Sequence, residues 1–218
     1  MSTPAAGPAG SGRLRPESRY VTPRFVERTA QGTREYDPYA KLFEERVIFL
    51  GHELDDVVAN DVMAQLLCLE SLDPQRDISM YINSPGGDLT SLTAVYDTMQ
   101  FVQPDIQTVC LGQASSVAAL ILAAGTPGKR LALPGARVVL SQPHSPGSQG
   151  QVSDLVIHGR EVQRQRDLVE GFLARHTGRD IAKVHQDIER DRVLTAEQAL
   201  EYGIVDQVVS PRSVAGVR

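Results

Sequence analysis

Three strand patterns, each followed by a helix pattern, constrain the fold of this chain most strongly. Short apolar runs at 46–51, 77–83 and 106–112 are typical of strands, and apolar residues at helical spacing follow each run. Repeated strand–helix units form a parallel sheet with right-handed crossovers. We therefore predict an α/β fold. The three helices are predicted over 55–72, 89–102 and 115–125.

The second half of the chain contains one unusually long helix pattern, at 152–178, which is amphipathic over most of its length. A helix of this length extends beyond a compact layer, so we expect it to project and to contact a partner. The shorter patterns predict strands at 129–133, 136–141 and 204–209, helices at 179–190 and 195–202, and a loop at 143–151.

Composition separates the two ends from the globular part. Residues 1–19 are rich in Pro, Gly, Ala and Ser, so we expect a disordered leader; 20–210 is the predicted domain and 211–218 a flexible tail. The net charge of −5 argues against nucleic acid as the main partner. No apolar run is long enough for a membrane span.

Two cysteines, Cys68 and Cys110, lie in apolar runs. Their setting predicts buried thiols in a reducing compartment, and so a cytoplasmic protein without disulfides. No histidine stands at ligand spacing from either cysteine, and no motif for an organic cofactor is present. We therefore expect neither a metal nor a cofactor.

Two features fall at the carboxyl ends of predicted strands, where open parallel sheets bind ligands. The turn "NSPGGD" contains Gly86 and Gly87, which allow backbone N–H groups to approach a ligand closely. Ser115 and Ser116 stand between a strand and a helix, with the N–H of Val117 available to an oxyanion, as at a nucleophile elbow. The alternative is that one serine only caps the helix.

A serine nucleophile needs a base, and spacing alone does not identify one among the five histidines. His52 follows the first strand pattern, and His158, His176 and His185 fall in helix patterns with charged neighbours, where solvated side chains are expected. His144 lies in the loop that follows the strand at 136–141.

Motifs in order along the chain resemble those of ClpP, the proteolytic subunit of ATP-dependent Clp protease. They are "YINSPGGD", "YDTMQFV", "GQASS", "AAGTPGKRLALP", "SQP", "GQVSDL", "HTG" and "ERDRVLTAEQALEYGIVDQVV". The resemblance runs from about Tyr20 to the C-terminus, with one change of length near 144–149. It implies a crotonase-like βα superhelix whose projecting handle helix, 152–178, joins two stacked seven-membered rings around a chamber. It also implies that the leader is a propeptide.

The same resemblance assigns roles to site residues. Ser116 stands at the nucleophile position, Asp191 at the acid, and Gly87 and Val117 supply the oxyanion N–H groups. The family's base lies in the pattern "HQP", and this chain reads "SQP", with Ser141 at the base position. A neutral hydroxyl is not a general base near pH 7, so we expect impaired catalysis.

Two arrangements would restore activity. His144 could replace the base, although an extended chain places it about 10 Å further on. A Ser-Ser-Asp arrangement with a bound water is the other.

The resemblance also implies partners. These are other ClpP-type subunits, an ATP-hydrolysing AAA+ unfoldase of the ClpX or ClpC type, and polypeptide substrates. Because the base is missing, we also expect a competent paralogue in mixed rings. Ser79 stands at a cleft position where an aromatic residue is common, so we expect weakened or selective docking. The cleft positions are Ser79, Tyr81, Val109, Leu111, Leu131 and Leu133.

Three other functions stay open from sequence. They are an active serine endopeptidase that uses His144, a crotonase-fold acyl-CoA enzyme, and a purely structural ring subunit.

Overall fold

The computed structural model describes residues 24–29, 32–143 and 150–209. The predicted leader, 1–19, and the tail, 211–218, lie outside these residues. The chain divides into two units, Met1–Lys41 and Leu42–Arg218. In the first unit β1 (Phe25–Thr29) and β2 (Gly32–Tyr36) form an antiparallel hairpin, which the sequence analysis did not predict.

Helix α1 (Pro38–Glu44) spans the boundary between the units, and the side chain of Asp37 accepts a hydrogen bond from its first turn, at Ala40 N. The remaining elements belong to the second unit. They are β3 (Val47–Leu50), α2 (Asp56–Leu72), β4 (Ile78–Ser84), α3 (Leu89–Phe101), β5 (Ile106–Ser115), α4 (Val117–Ala123), β6 (Arg130–Ala132), β7 (Arg137–Leu140), α5 (Val152–Thr177), α6 (Ile181–Asp187), β8 (Arg192–Thr195), α7 (Ala196–Tyr202) and β9 (Gln207–Val208).

The second unit is built on a largely parallel sheet, which confirms the α/β prediction. Among the described residues the strand order is β3-β4-β5-β6-β9, and every neighbouring pair in that order is parallel. Strand β7 pairs in parallel with the C-terminal end of β5, and β8 pairs with β7 in the antiparallel direction. Because β5 is long enough to pair first with β6 and then with β7, it reaches from the sheet centre to the serine pair.

The core lies between the sheet and the helices. Alternation along β4 buries Ile78, Met80 and Ile82 and leaves Ser79 and Tyr81 half-buried on the opposite face. Every residue of α4 is buried. Such a helix reads as a continuous apolar run without amphipathic spacing, and its small alanines allow close packing against the sheet.

The two cysteines, both predicted to be buried, differ in their exposure. Cys68 is exposed on α2, so its predicted burial is wrong for the single chain. Cys110 is buried as predicted, and burial raises the pKa of its thiol to about 11.

The long helix α5 has two different halves. Its buried residues, Val169, Glu170 and Leu173, all lie in the second half. The first half exposes apolar side chains, among them Val152 at 78% and Ile157 at 65%. Among the helices of the described residues, none combines the length and the hydropathy that crossing a bilayer requires.

Candidate active site

Strand register brings Ser116, Ser141 and Asp191 toward one place. Ser115 pairs with Val139 across β5 and β7, and the next N–H, that of Ser116, donates to the Val139 carbonyl at 2.8 Å. Leu140 then pairs with Arg192 across β7 and β8. Ser141 follows Leu140 and Asp191 precedes Arg192. Because the two strands are antiparallel, both residues lie at the same end of the ladder.

Ser116 has an unusual backbone conformation, with φ of 52° and ψ of −122°. A positive φ at a non-glycine residue costs about 1–3 kcal/mol, so it persists only where the surrounding structure holds it. Ser116 occupies the N-cap position of α4, yet its side chain makes no capping hydrogen bond. Asp88 and Thr195, by contrast, cap α3 and α7 with their side chains. The alternative that Ser116 serves as a side-chain cap is therefore wrong.

The glycine turn packs directly against this serine. A Cβ added to Gly86 would lie 3.2 Å from both Ser115 O and Ser116 Cβ. The buried hydroxyl of Ser84 holds the turn from the other side, within 3.2 Å of Gly86 N and Gly86 O. The two motifs that sequence placed at separate strand ends therefore form one site.

Gly87 sits where a larger residue does not fit. It forms a parallel bridge with Leu54, and a Cβ at Gly87 would overlap the Leu54 backbone. The bridge uses the Leu54 N–H, which donates to Gly86 O at 2.7 Å, and the Asp88 N–H, which donates to Leu54 O at 3.0 Å. The sequence contained a signal for the glycine but none for Leu54 as its partner.

The two predicted oxyanion donors have no acceptor among the described residues. The bridge to Leu54 leaves the N–H of Gly87 unused. Val117 is the first residue of α4, a position whose N–H has no intrahelical partner. Both groups are available to a ligand, and their role as oxyanion donors stays a prediction.

The base position holds a hydroxyl. Ser141 is half-buried and Asp191 is exposed, and within the described part of the chain no hydrogen bond joins their side chains to each other or to Ser116. His144, the predicted alternative base, lies outside the described residues. The strand register is consistent with catalytic positions for Ser116, Ser141 and Asp191, and their assignment to those positions stays a prediction.

A polar network stabilises the backbone next to Asp191. The Gln142 amide donates to both the carbonyl and the carboxylate of Glu189, at 3.2 Å, and Arg166 donates to that carboxylate at 2.8 Å. The hydrogen bond from Arg166 lowers the pKa of Glu189. Arg166 also donates to the buried Glu170 at 2.7 Å. The one local signal for this network in the sequence is the i,i+4 spacing of Arg166 and Glu170, from which the network was not predicted.

A cavity of about 590 Å³ opens beside this network. Its lining includes Gln142, which follows Ser141 after β7, and Asp191, which precedes β8. Among the described residues the lining is Gln142, Pro143, Ile188, Glu189, Arg190 and Asp191. Within the described ranges, no group of three or more His, Cys, Asp or Glu is arranged to hold a metal ion.

Two other histidines have partners of their own. His185 Nδ1 lies 2.8 Å from Glu170 Oε1, with the ring half exposed as predicted. His176 lies 2.9 Å from the Tyr96 hydroxyl, and burial, followed by Arg130 and Arg175, lowers its pKa to about 4. The prediction that His176 is solvated is wrong.

The six predicted docking residues share one face of the sheet. Tyr81 pairs with Val109, and Val109 pairs with Leu131, so three of them form a row across β4, β5 and β6. Alternation places the other three on the same face, and all except the buried Val109 are half-buried. Phe49 was not predicted to belong to this face, and its ring centroid lies 5.7 Å from that of Tyr81. The three remaining members are Ser79, Leu111 and Leu133.

Ser79 makes the predicted docking face locally polar. Its hydroxyl donates to the Gln107 side chain at 3.3 Å, on the neighbouring strand β5. Gln107 belongs to this polar spot and had no signal in the sequence.

Comparisons with known proteins agree with this architecture. The family model of Clp protease matches residues 30–212. The chain is 68% identical over 200 residues to ATP-dependent Clp protease proteolytic subunit 4 of Streptomyces avermitilis, covering 92% of this chain and 88% of that protein. It is 66% identical over 198 residues to proteolytic subunit 2 of Streptomyces coelicolor, covering 91% of each chain.

A protein from another genus gives the same result. Identity to proteolytic subunit 1 of Corynebacterium diphtheriae is 62% over 206 residues, which cover 94% of this chain and 99% of that protein. The residues matched by the family model include every strand of the seven-stranded sheet. The chain therefore belongs to the Clp protease family and is a proteolytic core subunit of the ClpP type.

Proposed function

We propose that this chain assembles into the barrel of an ATP-dependent Clp protease but hydrolyses peptides poorly by its own site. One observation carries the proposal. Ser116 has a positive φ and makes no capping hydrogen bond, and the N–H groups of Gly87 and Val117 have no acceptor among the described residues, whereas the position opposite Asp191 is the hydroxyl of Ser141. Without a base, Ser116 stays protonated and weakly nucleophilic.

The proposal gives the subunit a role in mixed rings beside a competent paralogue, in the cytoplasm. The exposed apolar half of α5 supports assembly, because Val152, Val156 and Ile157 have no partner among the described residues to cover them. The names of the relatives carry the numbers 1, 2 and 4, which suggests that a single organism can encode several proteolytic subunits. The identity to these proteins favours a peptidase core over an acyl-CoA enzyme.

The docking face supports a second part of the proposal. The Ser79–Gln107 hydrogen bond places polar atoms within a face that is otherwise formed by apolar side chains. Each 100 Å² of apolar surface left out of an interface removes up to about 2.5 kcal/mol of hydrophobic stabilisation, of which binding retains only a part. A ring face made of this subunit therefore docks a ClpX- or ClpC-type unfoldase, which hydrolyses the ATP, more weakly than a face with an aromatic residue at this position.

A peptidase assay tests the catalytic part. The chain is assayed on a short fluorogenic peptide, alone and then mixed with a competent paralogue, after sizing of the particles. We expect little turnover alone, and we expect Ser141→His to raise kcat/KM by about 10²–10⁴-fold, the usual contribution of a positioned base. Ser116→Ala in the Ser141→His background is the control and abolishes that gain.

Robust turnover by the unmodified chain would contradict the proposal if Ser116→Ala removed it. That result would instead support the active peptidase in which His144 or another group is the base, and His144→Gln would distinguish these two. A chain that forms particles only with a paralogue would support the mixed ring.

A further inference from the structure

The groups on either side of the base position suit an imidazole. Asp191 is an exposed carboxylate that accepts no hydrogen bond from any described side chain. Ser116 offers a hydroxyl proton at the end of the neighbouring strand β5. A neutral imidazole has one N–H to donate and one nitrogen to accept, so it can join a carboxylate to a hydroxyl.

There is space for a small ring next to Asp191. The cavity of about 590 Å³ includes Asp191 and Gln142 in its lining, and Ser141, which directly precedes Gln142, is smaller than the histidine of the family pattern. Pro143 and Ile188 supply apolar surface within the same cavity. The flat faces of an imidazole pack against such surface, while its edge reaches the carboxylate.

Three charged residues line the described part of the cavity, Glu189, Arg190 and Asp191, and Arg166 forms an ion pair with Glu189. A negative base such as phosphate or acetate is repelled by Asp191, and an imidazolium formed during the reaction is stabilised by it.

We propose that this site uses an imidazole from outside the chain as its general base, either as the free molecule or as a histidine side chain of the polypeptide substrate. The inference rests on the proposed function, since it requires that Ser141 leaves the chain without its own base. It assigns the site a substrate class, namely polypeptides with histidine beside the scissile bond.

The reaction balances without another reactant. The imidazole nitrogen takes the Ser116 proton as Oγ bonds to the scissile carbonyl carbon, and the carbonyl electron pair moves to oxygen, facing the N–H groups of Gly87 and Val117. The imidazolium gives its proton to the amine nitrogen as the C–N bond breaks. Water then attacks the acyl group, the imidazole takes a water proton, and that proton returns to Ser116 Oγ as the acid product leaves.

The test uses untagged full-length protein freed of imidazole. It is assembled alone, or with a competent relative whose nucleophilic serine is replaced by alanine. Imidazole is titrated at constant pH and ionic strength on a peptide without histidine. We expect a saturable rise in kcat/KM of about tenfold or more, below the 10²–10⁴-fold of a covalently positioned base. Ser116→Ala abolishes it.

Two matched comparisons identify the binding mode. 1-Methylimidazole accepts a proton but has no N–H for Asp191, so it gives a smaller rise than imidazole, and Asp191→Asn removes that preference. Ser141→Gly enlarges the space, so the response saturates at lower imidazole. Phosphate at the same concentration has no effect.

The source of the ring is distinguished with two peptides that differ only by His or Gln beside the scissile bond. Faster cleavage of the His peptide without free imidazole supports the substrate as source, and a response to free imidazole alone supports the small molecule. If neither source raises turnover, or if the rise is linear and persists in Ser116→Ala, the inference is overturned. In that case an active Ser141→His variant shows that the proposed function still stands. Turnover of the Gln peptide without imidazole shows instead that the proposed function has failed.

Discussion

Single residues hold the backbone of the site in place around Ser116. The positive φ of Ser116 is stabilised by its N–H bond to Val139 and by contact with Gly86, where a side chain would lie 3.2 Å from Ser116 Cβ. Gly87 fixes the other side through its bridge to Leu54. The site therefore depends on backbone groups that no side chain can supply.

Replacing Gly87 tests the assignment of its N–H. A Cβ at Gly87 would overlap the Leu54 backbone, so Gly87→Ala displaces the turn and misdirects the N–H. In the Ser141→His background we expect kcat to fall about 10²–10³-fold, as for the loss of one oxyanion donor. The measurement is kcat on a short peptide, with a thermal midpoint from the same sample to separate loss of activity from loss of fold.

The matched control is Gly135→Ala. Gly135 has open space around its Cβ position, so this variant keeps full activity. Unchanged kcat in a folded Gly87→Ala variant would remove Gly87 from the oxyanion site.

Residues with a local signal were predictable, and residues whose role depends on neighbours in space were not. Ser116, Gly87, Ser141 and Asp191 are carried by motifs of consecutive residues. The role of Gln107 has no local sequence signal, because its hydrogen bond with Ser79 joins two neighbouring strands and residues that are 28 positions apart in sequence. The exposure of Cys68 was not predicted for the same reason, because an apolar run does not indicate which face of its helix packs against the core.

At the scale of elements, β8 is a strand that the sequence patterns did not predict. Its four residues alternate in exposure and pair only with β7, so the strand exists through a long-range ladder rather than through local propensity. The capping box that begins α7 at Thr195 was readable and marks where β8 ends. Without β8, sequence alone could not place Asp191 beside Ser141.

The end of α5 is packed around His176. Tyr96 stacks on Phe172 with centroids 3.9 Å apart, and its hydroxyl meets His176 Nε2. Arg130 donates to the His176 carbonyl at 2.9 Å. A helix C-terminus favours protonated histidine, but here burial and two guanidinium groups outweigh it.

The pKa of His176 predicts a loss of stability in acid. Its folded pKa is about 4, below the ordinary value of 6.5, so the unfolded chain takes up the proton first as the pH falls. Above pH 6.5 both states are neutral and the ring has no linked effect. Between pH 6.5 and about 4 only the unfolded chain binds this proton, so the free energy of unfolding falls as the pH falls, and His176→Gln removes that part of the pH dependence.

The measurement is the thermal midpoint of both proteins between pH 7.5 and 4. The difference between wild type and His176→Gln shrinks as the pH falls. His52→Gln, at an exposed position, is the control and leaves the slope as in wild type. A His176→Gln slope equal to wild type would contradict the burial of a neutral ring.

At the scale of the whole molecule, two surfaces of the chain are those of a subunit. The first half of α5 exposes Val152, Leu155, Val156 and Ile157, and one face of the sheet carries a row of apolar side chains of which Tyr81 and Leu131 are only half-buried. Sequence length and amphipathic spacing predicted the projecting helix. The ring partners could not be predicted in the same way, because complementarity belongs to two surfaces and one chain supplies only one of them.

The docking face leads to the last prediction. Ser79→Tyr removes the hydrogen bond to Gln107 and adds an aromatic ring beside Tyr81 on the same strand face. Burial of about 100 Å² more apolar surface corresponds to about 2.5 kcal/mol before losses, so we expect binding of a ClpX- or ClpC-type unfoldase to tighten at least about tenfold. The measurement is the Kd of assembled particles for immobilised unfoldase held in its ATP-bound state.

Ser79→Asn is the control, because it changes the side chain but keeps the position polar, and its Kd stays near that of wild type. Peptidase activity does not enter this readout, so the result is independent of Ser141. Equal Kd values for wild type and Ser79→Tyr would show that other side chains of the face, such as Phe49 and Leu131, already supply the apolar surface that the unfoldase binds. The subunit would then differ from a fully competent one in its chemistry alone.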